Sequence, residues 1–244
     1  MQLDFPRKKS GLYILNKMNI ENIATMFLQE YSPSVLMTPK AVNIEFLAEE
    51  HLDLTIQIKT FNFSEPVLGL ITFADVEIQC YDIMYEPVSD TYPEGTVLVS
   101  SALIGRDNIA RRRFTITHEC AHWILHRSFY SPNKQHFEFR KTPSYVACRN
   151  VEIDKTGYGL KKDEDWIEWQ AEKLAASILM PISTFTEATR YLFRKYGINR
   201  SYIVPEFEKF NFYEIVHELS ETFNVSHKAT QIRLRQLDFI KKSG

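Results

Sequence analysis

One stretch sets the expectations for both fold and chemistry: residues 113–126, which read RFTITHECAHWILH. At its centre stand His118, Glu119 and His122, in the pattern H-E-x-x-H. Residues four apart on an α-helix lie one turn apart on the same face, about 6 Å along the axis. Two imidazoles so placed can reach one metal ion at about 2.0–2.1 Å each. Glu119 would project beside that ion and take a proton from water that the metal activates. The pattern predicts a helix that holds a zinc ion and a catalytic base.

The alternative is an amphipathic helix with two surface histidines, because so short a motif also arises by chance. Three features favour the metal site. The residues around the motif are largely apolar, so the helix would be buried, and buried imidazoles need polar partners. Thr115 or Thr117 offers an N-cap for a helix that starts just before the histidines. A matching segment with carboxylates lies downstream.

That downstream segment covers residues 168–181 and reads EWQAEKLAASILMP. It has helical character, with Ala, Leu and Ile on one face and a stop at Pro181. Catalytic zinc commonly has three protein ligands and one water, and two histidines with one glutamate is a known set. Glu168 is the candidate third ligand, and a capping box with Asp165 is the alternative role for it. Glu172, one turn on, would either accept the ring N–H of a ligand histidine or be a solvated helix charge.

Both segments resemble the signatures of one family, the ImmA/IrrE-type metallopeptidases. Residues 113–126 are similar to R-F-T-x-x-H-E-x-x-H-x-x-x-H, and residues 168–181 are similar to E-x-x-A-[ND]-x-F-A-A-x-L-L-M-P. The resemblance covers residues 40–181, and the ends of the chain match only in general character. It implies a catalytic base, Glu119, and three metal ligands: His118, His122 and Glu168. Zinc is the expected metal by ligand type, with manganese or iron as alternatives.

The sequence departs from the family pattern in three places. Glu172 stands where the family has Asn or Asp, and Leu174 replaces the usual Phe. The distance between the two signatures is long, which predicts an insertion at residues 128–165. Its breakers, two prolines and two glycines, predict an irregular flap beside the cleft.

Several further side chains are candidates for roles in or near the site. Tyr145 and Tyr158 of the insertion are candidate donors to an oxyanion, although no spacing rule selects either. A Cys148 thiolate would be able to occupy an open zinc position. Cys120 is expected to be a small buried residue that points away from the histidines. His126 is expected to be a helix-packing or substrate-side residue rather than a ligand.

Known members of this family are bacterial and cut helix-turn-helix repressors, typically those of prophages, mobile elements or stress regulons. The resemblance therefore implies a cytoplasmic, selective endopeptidase whose partner is a transcriptional repressor. The alternative is a non-catalytic regulator that binds a repressor or DNA and retains a structural metal site. An intact Glu119 favours the peptidase, since a purely structural site has no use for a base there.

The composition agrees with this setting. The 244 residues are 44% hydrophobic and 25% charged, which is enough for one or two domains with a sizeable core. A net charge of −2 gives no general attraction to nucleic acid or membrane. No apolar run reaches the ~18 residues of a membrane span, and the first nine residues lack the apolar stretch of a signal peptide. Three widely spaced cysteines without a C-x-x-C pair fit a reducing cytoplasm.

The patterns outside the motif predict an α+β fold, and the resemblance implies a zincin-like metallopeptidase core over residues 1–181. Helices are expected at residues 20–29 and 39–52, the second with Thr38 as N-cap and Pro39 at its first position. Strands are expected at residues 54–58, 69–73, 76–80 and 96–100, with residues 74–75 joining the second to the third. A small mixed sheet would pack on the active-site helix, and its edge strand would pair with the substrate backbone.

Residues 182–244 are predicted to form an all-helical C-terminal region. Helices over residues 213–223 and 228–237 would flank a turn at residues 224–226, with Ser226 as N-cap. This arrangement resembles a helix-turn-helix whose second helix carries Arg233 and Arg235. The excess of basic over acidic side chains is small for a DNA reader, so packing or partner docking is the favoured role and direct DNA binding is the alternative.

Overall fold

The structure, a computed structural model, describes residues 3–130, 145–149 and 162–241, and only the backbone of residues 148 and 149. Within these ranges the chain has an α+β fold, as expected. The helices are α1 (Lys17–Tyr31), α2 (Ser34–Met37), α3 (Ile44–Phe46), α4 (Ile109–Tyr130), α5 (Asp163–Leu179), α6 (Ile182–Lys195), α7 (Lys209–Phe223) and α8 (His227–Gln236). The strands are β1 (Thr55–Phe61), β2 (Val67–Thr72), β3 (Val76–Tyr81), β4 (Pro87–Tyr92), β5 (Thr96–Ser100) and β6 (Tyr145–Arg149).

The chain divides into two compact units. Unit 1 comprises residues 1–20 and 43–175, and unit 2 comprises residues 21–42 and 176–244. The predicted boundary at residue 181 stays a prediction. None of the described helices is both long and apolar enough to cross a membrane.

Unit 1 is built on a mixed six-stranded sheet in the order β4-β3-β1-β5-β2-β6. The β1–β5 pair is parallel, and the other pairs are antiparallel. Every residue of β5 is buried, which explains its continuous apolar sequence: the strand is interior and is covered on both faces. Leu70 and Leu98 belong to a core cluster on one face of the sheet. Gly69 precedes Leu70 in β2 and lies toward α4, on the opposite face of the sheet.

Helix α4 begins earlier than predicted. It starts at Ile109, after a 3₁₀ turn at Arg106–Asn108, and so both threonines proposed as N-caps lie inside it. The Thr117 hydroxyl donates to the Arg113 carbonyl at 2.7 Å instead of capping the helix. The metal motif is therefore at the middle of a long buried helix, where fraying at the helix end does not reach it.

The helix predicted over residues 39–52 begins at Ile44, and its last turn, Leu47–His51, is π-helical. The N-cap is Asn43, whose side chain accepts from the Phe46 amide at 3.4 Å. Thr38 is extended and follows α2, so neither it nor Pro39 starts the helix.

The expected strand pattern is confirmed in part. Residues 74–75 join β2 to β3 as predicted, but the two strands pair with different neighbours and form no hairpin. Strand β4 was not predicted, because it is a polar, half-exposed edge strand opened by Pro87. Strand β6 was not predicted either, and it lies within the segment expected to be an irregular flap. Most of that segment is outside the described residues.

Unit 2 contains α2, α6, α7 and α8. Helices α7 and α8 are joined by the three predicted residues, of which Asn224 is left-handed with φ 49°. The Ser226 hydroxyl accepts from the Ala229 amide at 3.1 Å, which confirms the predicted N-cap. Arg233 is buried: its guanidinium donates to both carboxylate oxygens of Glu21 and to the Met180 carbonyl.

Candidate metal centre

Helix α4 places three histidines on one face at four-residue spacing. His118, His122 and His126 are all fully buried, and successive ring centroids are 4.6 and 5.2 Å apart. The Nε2 atoms of His118 and His122 lie 3.0 Å apart, so both rings point their outer nitrogens at one spot. The two histidines predicted as ligands are therefore brought together as the helical spacing requires.

Helix α5 supplies the carboxylate. Glu168 Oε2 lies 3.3 Å from His118 Nε2, and Oε1 lies 3.4 Å from His122 Nε2. Because α5 begins at Asp163, Glu168 is in its second turn and Asp165 is inside the helix, so the capping box proposed for this pair is wrong. The Glu168 side chain is 35% exposed, whereas both histidines are buried, so within the described residues the carboxylate is the exposed member of the cluster.

The three ligand atoms fit a metal ion by geometry and by chemistry. His118, His122 and Glu168 are the group of described residues able to hold a metal ion together. Ligand bonds of about 2.0–2.1 Å at the tetrahedral angle would place neighbouring ligand atoms about 3.3–3.4 Å apart. The distances above, 3.0 to 3.4 Å, match those edges closely. A nitrogen–oxygen set of two imidazoles and one carboxylate suits zinc, and also manganese or iron.

The electrostatics of the two rings differ. Burial lowers the pKa of His118, but the hydrogen bond and charge of Glu168, helped by Glu119 and Glu172, outweigh it, so the pKa is raised. Burial, together with the neighbouring histidines, holds the pKa of His122 well below its usual range. His122 is therefore neutral at physiological pH, which is the form that binds a metal.

Glu119, the predicted base, is buried beside this cluster. Neither of its carboxylate oxygens has a hydrogen-bond partner among the described residues. Burial raises the pKa of Glu119 to about 8, while the charge of His118 lowers it and that of Glu168 raises it. A buried carboxyl group without a partner is costly, unless a cation or an ordered water accompanies it. This orphaned group is a second observation that the site fits a metal and its water.

Gly69 of β2 makes the close approach of the sheet to α4 possible. A Cβ atom at position 69 would lie 2.5 Å from Thr115 Cγ2 and 3.2 Å from Glu119 Oε1. The Glu119 side chain therefore lies directly under β2, and any larger residue at position 69 would crowd it. Sequence reasoning did not single out this glycine.

His126 was expected to pack within the helix or to face the substrate, and Gln170 was not predicted to belong to the site. His126 Nδ1 lies 3.1 Å from His122 Nδ1, and its Nε2 lies 3.1 Å from Gln170 Oε1. Gln170 Nε2 donates to the Tyr13 carbonyl at 2.8 Å. Burial lowers the pKa of His126 to about 4, so this ring is neutral too. The spacing of four residues from His122 was a usable signal for His126, whereas nothing in the sequence marked Gln170.

The remaining candidates take other positions. Glu172 is buried, so it is not a solvated helix charge, and its Oε1 lies 3.4 Å from Lys173 Nζ. Nδ1 of His122 faces His126 rather than Glu172, and a contact of Glu172 with the other ligand histidine stays a prediction. Burial raises the pKa of Cys120, which keeps it a thiol. Tyr145 packs with Phe63 on the sheet face away from α4, so it does not face the candidate metal ligands and is not placed to donate to an oxyanion. Tyr158 and the Cys148 side chain lie outside the described residues.

Comparison with known proteins adds independent findings. No curated protein matches the chain significantly. A solved structure described as a Mycobacterium tuberculosis transcriptional regulator is similar at 12% identity with a TM-score of 0.44. That match covers 89% of this chain and 46% of the other, so the chain spans about half the length of that protein. The family model Peptidase_M78, the IrrE N-terminal-like domain, matches residues 103–235, which include α4 and α5 with all the predicted ligands. The chain therefore belongs to the Peptidase_M78 family, as its two signatures predicted.

Proposed function

We propose that this protein is a zinc-dependent endopeptidase that acts in the cytoplasm on a helix-turn-helix transcriptional repressor. The peptidase class follows from the family. The observation that carries the proposal is Glu119: a buried carboxyl group with no described hydrogen-bond partner, one residue from His118 and beside the ligand cluster. A site with only a structural role would have no reason to keep such a destabilising group.

The ion would be held by Nε2 of His118, Nε2 of His122 and the Glu168 carboxylate. Bound zinc would supply Lewis-acid polarisation of the scissile carbonyl and would lower the pKa of water at the site. Glu168 contacts both rings and is the exposed member of the cluster within the described residues, so substrate would enter past it.

Glu119 would move the protons. Its carboxylate takes one proton from the attacking water as the new C–O bond forms at the peptide carbonyl. It then gives that proton to the amide nitrogen, the C–N bond breaks, and the amine leaves neutral. Burial favours the protonated form of Glu119, whereas the charge of a bound cation would favour its carboxylate, so the group can take up the proton in the first step and release it in the second.

The repressor substrate rests on the family resemblance and on nothing in the geometry. The alternative function, a regulator that binds DNA through α7 and α8, gains little from the structure. Arg233, one of the two arginines expected on the second helix, is held inside unit 2 by Glu21 and the Met180 carbonyl, so it is not free to contact phosphate.

The first experiment is the metal content of purified protein by elemental analysis, beside a Glu168→Ala variant. One equivalent of zinc in the wild type, reduced in the variant, is the expected result. Absence of metal even after zinc is supplied would leave a binding module on a peptidase fold. Equal zinc in both proteins would remove Glu168 from the ligand set.

The second experiment separates catalysis from binding. Helix-turn-helix repressors are co-expressed with wild type, Glu119→Gln or Glu77→Gln, and cleavage is followed by mass spectrometry. Glu77 is an exposed strand residue away from the cluster, so its variant controls for the loss of a charge. Glu119→Gln should keep zinc and lose cleavage, whereas Glu77→Gln should keep both. Cleavage that persists in Glu119→Gln would contradict the assigned base.

A further inference from the structure

A continuous chain of buried contacts runs from the N-terminal segment to the metal centre. It consists of the Tyr13 carbonyl, the Gln170 side chain, and the rings of His126 and His122, with the three distances given above of 2.8, 3.1 and 3.1 Å. Gln170 and both histidines are fully buried, so water does not compete for these hydrogen bonds.

Only one direction of hydrogen bonding satisfies every member of the chain. A backbone carbonyl can only accept, so the Gln170 NH₂ group must face Tyr13 and its oxygen must face His126. That oxygen can only accept, so His126 carries its ring hydrogen on Nε2. Its Nδ1 is then a lone pair, which must accept from Nδ1–H of His122.

This direction has a consequence for the metal. A neutral imidazole carries one ring hydrogen, so a His122 that is protonated on Nδ1 presents a lone pair on Nε2. That is the nitrogen that faces His118 and Glu168. The other tautomer would place a hydrogen where the metal must bind.

We propose that Tyr13, Gln170 and His126 form a positioning relay that fixes the metal-binding tautomer and ring orientation of His122. Gln170 and His126 are positioning residues, and the backbone carbonyl of Tyr13 is the fixed end that sets the direction. The inference rests on the proposed function, because it assigns these residues to the same metal site.

The relay makes the N-terminal segment a working part of the metal centre. Leu12, Tyr13 and Leu15 are buried within unit 1, which holds the carbonyl in place. Two polar contacts add to this anchoring: Arg7 donates to Ser128 at the end of α4, and Lys8 pairs with Asp163 at the start of α5, each at 3.0 Å. The segment thereby bridges the two helices that supply the ligands.

The test compares two substitutions at one buried position. Gln170→Leu removes the oxygen that accepts from His126, which frees that ring to reverse. Gln170→Glu, protonated in this buried site, retains an accepting oxygen toward His126 and an O–H toward Tyr13. Ile78→Val is the control, a buried truncation in unit 1 on the sheet face away from α4. Zinc affinity is measured by competition with a chromophoric chelator.

Gln170→Leu should bind zinc about 10–100-fold more weakly, the usual effect of losing an outer-shell partner of a ligand. Gln170→Glu and Ile78→Val should stay within a few-fold of wild type. Equal affinity for wild type and Gln170→Leu would overturn the relay and leave the proposed function intact.

A second measurement reads the tautomers directly and does not depend on any variant. ¹⁵N chemical shifts of the histidine rings in the wild-type protein should show His126 protonated on Nε2 and His122 on Nδ1. If the wild type binds no zinc, the proposed function fails, and these shifts still decide the relay. A His126 ring with its hydrogen on Nδ1 would overturn it.

Discussion

The close approach of β2 to helix α4 at Gly69 offers a sharp test of how this site is built. Replacing Gly69 by Ala would place a methyl carbon 2.5 Å from Thr115 Cγ2, whereas carbon atoms pack at about 3.5–4.0 Å. Strand β2 and helix α4 would have to separate by about 1 Å, or Thr115 would have to leave its position. Overpacking of this kind costs about 1–3 kcal/mol, and we expect the upper half of that range because both partners belong to regular elements.

The effect on activity should exceed the effect on stability. The new methyl would also lie 3.2 Å from Glu119 Oε1, so the candidate base must give by a few tenths of an ångström in addition to the separation of β2 from α4. A misplacement of about 1 Å at a reacting group lowers the rate about 100-fold. We therefore expect kcat/KM to fall by about that factor, while zinc content stays at the wild-type level, since the ligand atoms are not crowded.

Thr115→Ser provides the matched control, because it removes the methyl group that the new carbon meets. Alone it should cost about 1 kcal/mol for a lost buried methyl. Combined with Gly69→Ala it should cost less than the sum, with a coupling of about 1–2 kcal/mol in urea unfolding of the zinc-free proteins. Additive penalties, or a Gly69→Ala midpoint equal to wild type, would refute the proposed contact between β2 and α4.

Three other predictions follow from particular contacts. Zinc at about a hundred times its Kd should raise the free energy of unfolding by about 2.7 kcal/mol, measured from the urea midpoint. An excess of chelator, or the substitution His122→Ala, should abolish this gain. A urea midpoint that does not change with zinc would argue against a metal site in the native state. Arg233→Leu should cost about 3–5 kcal/mol by leaving the Glu21 carboxylate without its buried partner, and a loss below 1 kcal/mol by thermal unfolding would contradict this. The Lys195 ammonium and the Tyr196 hydroxyl hold the pKa of Glu218 below its usual range. These two contacts therefore stabilise the native state at pH values above the unfolded-state pKa of about 4.3, and the stabilisation is lost as pH falls through the pKa of Glu218 in the folded protein. Glu218→Gln should thus be less stable than wild type at pH 7, with the two midpoints converging in acid; a constant difference would exclude the carboxylate as the cause.

The cluster of candidate metal ligands was predictable because metal chemistry imposes a spacing on them. His118 and His122 must be four apart to share a face, and Glu168 lies in a segment whose apolar pattern predicts a helix. Helix α4 was predictable for the same reason. The start of α4 was not predictable, because the two threonines suited to an N-cap lie inside the helix. Helix α4 instead follows a 3₁₀ turn whose sequence carries no strong signal.

What surrounds the ligands was much harder to predict. Gln170 reaches His126 and Tyr13 only because α5, α4 and the N-terminal segment meet in three dimensions, and no local pattern encodes such a meeting. Gly69 lies in a strand whose apolar residues were recognised, but its role depends on what crosses beneath it. Strand β4 was missed because an exposed edge strand lacks the buried face that makes a strand visible in a sequence.

The ion pair between Glu21 and Arg233 has a consequence for how the chain is synthesised. Its partners are separated by 212 positions, and unit 2 draws on residues 21–42 as well as on residues 176–244. A ribosome therefore releases the first part of unit 2 long before its complement exists. Phe27 and Leu28 are buried in the native protein and belong to the unit that residues 176–244 complete, so we expect them to stay exposed in the nascent chain until that segment emerges. A chain truncated after residue 181 would keep that surface permanently uncovered, so aggregation rather than an independent peptidase domain is the expected product.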